Sequence, residues 1–258
     1  MEPVRREAYA QRSRFIAPFI QSIPPRVLEV GAGYGAGVDV LEAMGYCVDA
    51  MLEPDPIKAR YLRETKTGVV FQQTIQDFLK GNDIADRYDV IMLAHVFEHC
   101  NDPRLVLESL ARLLTKDGIV YIEVPDLFQI VNWSDALYLA HHSNFALDTF
   151  VTFARSCGLE VVQSTRIRNE DDRDDMGFIL RPLERRYQST GPLAPQVARV
   201  EVVKQLYRKG LPPELVPLMD EPVLYRIPAI ENFYYGLRFD RWTMVRQNDR
   251  SILFIPKT

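Results

Sequence analysis

The sequence predicts an α/β fold, a mostly parallel sheet covered by helices on both faces. Three observations predict it. Short apolar runs alternate with helical patterns from about residue 6 to residue 165. The central runs, "YDVIMLA" (88–94) and "IVYIEV" (119–124), are apolar at successive positions, as strands buried on both faces are. Glycines close the helical stretches at Gly45 and Gly158.

The elements follow in order. Between residues 6 and 21, Tyr9, Phe15, Ile16, Phe19 and Ile20 recur at near-helical spacing, and Pro24 and Pro25 end the helix. "RVLEV" (26–30) is a strand running into a glycine-rich turn, and residues 34–45 form the next helix. "CVDAML" (47–52), a helix around "PIKARYLRE", and "GVVFQ" continue the alternation up to the strand at 88–94. A helix from Pro103 to Leu114, a turn at "KDG" (116–118) and the strand at 119–124 come next. "LDTFVTFARSCG" (147–158) carries a helical face of Phe150, Phe153 and Ala154, and "LEVVQS" is a strand.

Beyond it the periodicity weakens. An acidic cluster, "NEDDRDD" (169–175), reads as a solvated loop, and residues 195–209 read as a helix stopped by Gly210 and Pro212. The end, "WTMVRQNDRSILFI", reads as a hairpin turning at "QNDR". The expected organisation is a core over 1–166 with an N-terminal helix, an inserted region over 167–248, and a final strand of the core sheet over 249–258.

A chain of 258 residues with 47 % hydrophobic content can bury one sizeable core. Its net charge of -4, from 31 basic and 35 acidic residues, disfavours a nucleic-acid partner. Cys47, Cys100 and Cys157 are odd in number and far apart, which fits buried thiols in a reducing compartment. No apolar run reaches the ~18 residues of a membrane span, and the first 21 residues carry charges throughout, unlike a secretory signal. A cytoplasmic protein without a transmembrane segment is expected.

"EVGAGYGAG" (29–37) matches GxGxxA as Gly31, Gly33 and Ala36, a turn whose glycines let a nucleoside ligand lie against the backbone. Glu53, 22 residues after Gly31 in "MLEPD", can accept from both ribose hydroxyls. Glu29 stands on the first strand, where a dinucleotide enzyme usually keeps an apolar residue.

With "VLEVGAGYGAG", "EPD" and "YDVIMLAHVFEHCNDPRLVLESLARLLTKDGIVYIEVP", the sequence resembles the class I S-adenosylmethionine (SAM)-dependent methyltransferases, in the branch that includes small-molecule and sugar methyltransferases. The resemblance covers residues 6–165 and the last strand. It implies a Rossmann-like, seven-stranded sheet with an antiparallel last strand. SAM would be the cofactor and S-adenosylhomocysteine the product. Gly31, Ala32 and Gly33 would line the methionine part, Glu29 would order the turn, and Glu53 would hold the ribose. The adenine would lie near Ile75, Gln76 and Asp77, although the acid usual at the position of Thr74 or Gln76 is missing here.

"HVFEH" (95–99) poses a separate question, because HxxEH on one continuous helix is a zinc motif. Here the strand runs straight into His95, and "CNDP" after His99 makes a turn and a helix cap, so no metal site is expected. By the resemblance, Ala94 and His95 would touch the cofactor, and His99 would be structural.

"HHSNF" (141–145) falls where that branch covers its acceptor pocket. Removing a proton from an acceptor hydroxyl suits imidazole at neutral pH, so His142 or His141 is the expected base, with Asp126 next. Tyr225, Phe233, Tyr234, Tyr235 and Trp242, with Arg226 and Arg238, would suit a lid or a sugar subsite within 167–248; a homodimer contact is the alternative use. The function expected is O-methylation of a small hydroxylated acceptor, a carbohydrate of polysaccharide or natural-product biosynthesis. Alternatives are C- or N-methylation of a nucleotide sugar or other metabolite, a SAM-binding partner subunit without turnover, and an NAD-dependent dehydrogenase.

Overall fold

A computed structural model describes residues 3–81, 87–129, 141–168, 174–183, 242–248 and 251–256, the last two stretches as backbone. The chain divides into two compact units. One comprises Met1–Gln129 and Phe145–Thr190, the other Ile130–Asn144 and Gly191–Thr258.

The first unit opens with α1 (Pro3–Ile16). It then alternates β1 (Arg26–Val30), α2 (Ala36–Ala43), β2 (Cys47–Leu52), α3 (Pro56–Thr65), β3 (Val69–Phe71), α4 (Ile75–Gly81), β4 (Tyr88–Ala94), α5 (Pro103–Leu113) and β5 (Leu114–Val124). α6 (Leu147–Ser156), β6 (Leu159–Arg168) and β7 (Asp174–Pro182) complete it. The seven strands order as β3-β2-β1-β4-β5-β7-β6. β1 through β5 pair in parallel, and β7 pairs antiparallel with both β5 and β6. From β1 the chain winds outward to β3 and then crosses to β4 on the other side of β1. Such a reversal opens a crevice outside the carboxyl ends of β1 and β4, where ligands bind in sheets of this kind.

Both faces of the sheet are packed because its strands are apolar at successive positions. Along β1 and β4, Val27, Val90 and Met92 enter one core, with Ile16, Leu41 and Tyr121; Leu28, Val30, Ile91 and Leu93 enter the other, with Phe97 and Phe150. In that second core Phe150 stacks on Phe178 at 4.0 Å between ring centroids, and Phe97 and Phe145 close on it from the turn and the loop. Helix entries at the ligand end are fixed by side chains. Asp55 accepts from the amides of Ile57 and Lys58, Asp102 accepts from Leu105, and each stands before a proline in the first turn.

The seventh strand is not the one the sequence suggested. Ser251–Pro256 (β9) pairs with Trp242–Asn248 (β8) in a two-stranded hairpin and is not one of the seven strands of the core sheet, the place the sequence predicts for 249–258. Its place is filled by β7, which begins inside the acidic cluster read as a loop. After Asp174 come six buried residues, Asp175 to Leu180, enough to line both faces of an interior strand. The core therefore runs past residue 166 to Pro182, and the long segment follows the last core strand instead of preceding it. The helix expected at 195–209 and Tyr225, Arg226, Phe233, Tyr234, Tyr235 and Arg238 lie outside the described residues.

Smaller differences have local causes. "KDG" is not a free turn but part of β5, which starts at Leu114 as Tyr88 pairs with that residue before the register shifts. Cys100 and Cys157 are buried as expected, whereas Cys47 is exposed at the start of β2. Among the described residues no helix is long and apolar enough to cross a membrane.

Candidate functional site

The glycine turn sits where β1 ends. Gly31 and Ala32 both donate to the Leu52 carbonyl, at 2.8 and 3.1 Å, which ties the turn to the end of β2. Gly31 and Gly33 both have positive φ, at 73° and 58°. A methyl group on Gly31 would collide with Val96, while one on Gly33 would point into open space. The turn is thus backed by protein at Gly31 and open at Gly33.

Two buried carboxylates stand on the strands that lead to this turn, Glu29 in β1 and Glu53 just after β2. Glu53, at 4 % exposure, accepts from the Gly33 amide at 2.7 Å and the Asp55 amide at 2.9 Å. One bond reaches each oxygen, and a carboxylate offers about four acceptor positions, so capacity for two hydroxyls remains. Glu29 is deeper, and burial pushes its carboxyl up to about 8 despite the Arg12 cation and the Tyr9 hydroxyl, which favour the charged form. Its Oε2 has no hydrogen-bond partner among the described residues. An open glycine cradle, an oriented carboxylate and an unmatched buried carboxyl oxygen fit a ribose-bearing ligand with a polar tail.

At the end of β4 the chain turns sharply. His95 has a φ of 55°, uncommon for a residue with a side chain, and Phe97–His99 forms a single 3-10 turn. HVFEH is therefore not one helix, and the geometry of the helical zinc motif is absent from it. His95 is enclosed by acids: Nε2 lies 3.2 Å from both Glu123 and Asp175, and Nδ1 lies 3.5 Å from Glu98. Burial opposes its charge, but hydrogen bonds to Asp175, Glu123 and Glu98 outweigh it, so the imidazole titrates well above its ordinary value. A ring held as imidazolium is poorly suited to accept a proton at neutral pH.

Glu123 is the hub of this network. Although burial favours the neutral acid, Arg12 and His95 pull its carboxyl down to about 2. Arg12 grips it with two nitrogens, the Nε bond at 2.8 Å, and the Tyr121 hydroxyl donates to it as well. His95, Glu123 and Asp175 are close enough to surround a cation. Glu123, however, is already committed to a guanidinium whose charge would repel one.

The expected cofactor residues Glu29, Gly31, Ala32, Gly33, Glu53, Ala94 and His95 converge at the carboxyl ends of β1, β2 and β4. Ile75 is buried at the start of α4. Gln76 turns its amide oxygen, in the orientation that satisfies its neighbours, to the amides of Asn101 and Asp102. Asp77 is exposed and exchanges hydrogen bonds with Thr74, capping α4. Asp126, just beyond β5, is 3 % exposed and ion-paired with Arg166. His141 and His142 are half-buried and belong to the second compact unit. Sequence reasoning missed Arg12, Glu123 and Asp175; the one signal available was an acid inside the apolar run of β5, the same anomaly that marks Glu29 in β1.

Residues 4–164 match the model of a protein family described as "Methyltransferase domain". The chain belongs to this family, and with it to the class I SAM-dependent methyltransferases. SAM is the cofactor of that family. Among curated proteins, the ubiquinone biosynthesis O-methyltransferase of Glaesserella parasuis is 29 % identical over 107 residues, 38 % of this chain and 44 % of that protein. The C-methyltransferase NovU of Streptomyces niveus is 34 % identical over 87 residues, 32 % of this chain and 21 % of NovU. The chain thus spans less than half the length of these relatives. Two solved structures share the fold. One is the 1,6-didemethyltoxoflavin-N1-methyltransferase of Burkholderia thailandensis with bound 1,6-didemethyltoxoflavin and S-adenosylhomocysteine. It has a TM-score of 0.54 at 16 % identity, covering 71 % of this chain and 80 % of that one. The other, the N-methyltransferase NodS of Bradyrhizobium japonicum, has a TM-score of 0.54 at 18 % identity, covering 71 % and 98 %.

Proposed function

We propose that this protein methylates a hydroxyl of a small, sugar-like acceptor in the cytoplasm, using SAM, with His142 or His141 accepting the hydroxyl proton. The observation that carries the cofactor half is the buried Glu53 carboxylate bonded to the amide of the open cradle at Gly33, with a second buried carboxyl, Glu29, in the strand that leads into the turn. Bound there, SAM would supply an electrophilic methyl carbon. Glu53, already oriented by two amides, would hold the ribose hydroxyls. Ala94 and His95 would line the methionine side, and Ile75, Gln76 and Asp77 the adenine side. The acceptor half rests on chemistry: with His95 locked among acids and Asp126 committed to Arg166, His141 and His142 are the better proton acceptors.

A second reading, C-methylation of a nucleotide sugar, draws on the local similarity to NovU. Calorimetric titration with SAM, S-adenosylhomocysteine and NAD comes first. Micromolar binding of the first two and none of NAD is expected; the reverse preference would overturn the reading. A panel of sugars and nucleotide sugars followed by mass spectrometry then separates O- from C-methylation. His142→Ala or His141→Ala is expected to lower kcat roughly 100-fold on the productive acceptor with SAM affinity unchanged.

A further inference from the structure

We propose that Arg12, on the N-terminal helix, is a positioning residue for the cofactor turn: through Glu123 it fixes His95, and with it the His95–Val96 segment that backs Gly31. This rests on the reading of the glycine turn as the SAM site. α1 reaches that turn by two routes. The first runs through α2, for Tyr9 packs its ring so closely on Gly37, in the first turn of that helix, that no side chain fits there. The second is a chain of contacts. Arg12 lies over the Tyr9 ring at 4.5 Å and grips Glu123; Glu123 Oε1 lies 3.2 Å from His95 Nε2; and the His95 amide donates to the Glu123 carbonyl at 3.0 Å. Val96, the next residue, occupies the space that a side chain on Gly31 would need.

His95 holds a left-handed backbone, which is disfavoured in a residue other than glycine, so surrounding contacts must maintain it. Glu123 supplies two of them, one to the ring and one to the amide. Arg12 in turn determines where the Glu123 carboxylate points, because a guanidinium fork binds both its oxygens in one plane. The groups facing His95 are Glu98 from the turn, Glu123 from β5 and Asp175 from β7, with Arg12 behind Glu123. Docking of α1 and binding at the turn are consequently coupled, and each strengthens the other.

The test combines S-adenosylhomocysteine calorimetry with NMR of ¹³C-histidine-labelled full-length protein, His95 being assigned with His95→Gln. Arg12→Met is expected to weaken binding roughly tenfold and to move the His95 ring signals. Arg12→Lys keeps the charge but loses the fork, so a smaller loss of affinity and a smaller shift are expected. If Arg12→Met does not fold, Arg12→Lys decides alone. Folded variants with wild-type affinity and unmoved His95 signals would overturn the positioning role by itself. Wild-type protein that fails to bind S-adenosylhomocysteine would overturn the cofactor reading and this inference with it.

Discussion

Two acids placed inside apolar strands carry opposite protonation states. Glu123, gripped by Arg12, stays ionised to about pH 2, whereas Glu29, near the same guanidinium but not bonded to it, holds its proton to about 8. For Glu29 the folded value lies above the ordinary 4.5, so its contribution to stability is complete below about 4.5 and is lost as pH rises through 8. Glu29→Gln cannot ionise and escapes that loss. Its melting temperature relative to wild type is expected to climb by roughly 5 °C or more between about pH 5 and about pH 9, measured by calorimetry. A constant difference would show that Glu29 is ionised throughout. The glycines, Glu29 and Glu53 were legible in the sequence because they lie within a short span and obey a fixed spacing. Arg12 was not, because its partner is 111 residues away and only the folded sheet brings the two together.

At the level of elements, the second core is organised around α6. Phe150 stacks on Phe178 of β7 and meets Phe97 and Phe145 edge-on, so one ring joins the helix, the last strand and the turn that follows His95. Phe150→Ala is expected to cost about 3–5 kcal/mol, read from urea unfolding. A cost under ~1 kcal/mol would mean that the cluster does not pack as described. Strands β1 to β6 and helices α1, α2, α3, α5 and α6 were legible from apolar runs, caps and closing glycines, whereas α4, seven residues long with only Ile75 and Phe78 buried, was not. β7 was not, for two reasons. Its start is masked by the acids of 169–175, and its apolar run contains Gly177, which normally argues against an interior strand. The structure explains that glycine: a methyl there would meet the Tyr121 hydroxyl at 2.7 Å and Thr165 at 3.1 Å.

For the molecule as a whole, the charge balance of -4 bears on the kind of partner it can hold. Phosphate backbones are bound by surplus cations, and Arg12, Arg166 and Arg168, at the ligand end, are already paired with Glu123, Asp126 and Asp174. A duplex DNA fragment is expected to migrate unchanged with micromolar protein at ~50 mM salt; retardation would reopen the nucleic-acid class. The order of the sheet has a further consequence, for the growing chain on the ribosome. Because β7 lies between β5 and β6, β6 has no neighbour to pair with until residues 174–182 have been made. Asp175, which holds His95 in place, arrives with that same strand. The nascent chain therefore carries the full glycine signature, and the five parallel strands behind it, well before it can hold His95 in its final surroundings, and it acquires the last two strands and the Asp175 contact in one late step.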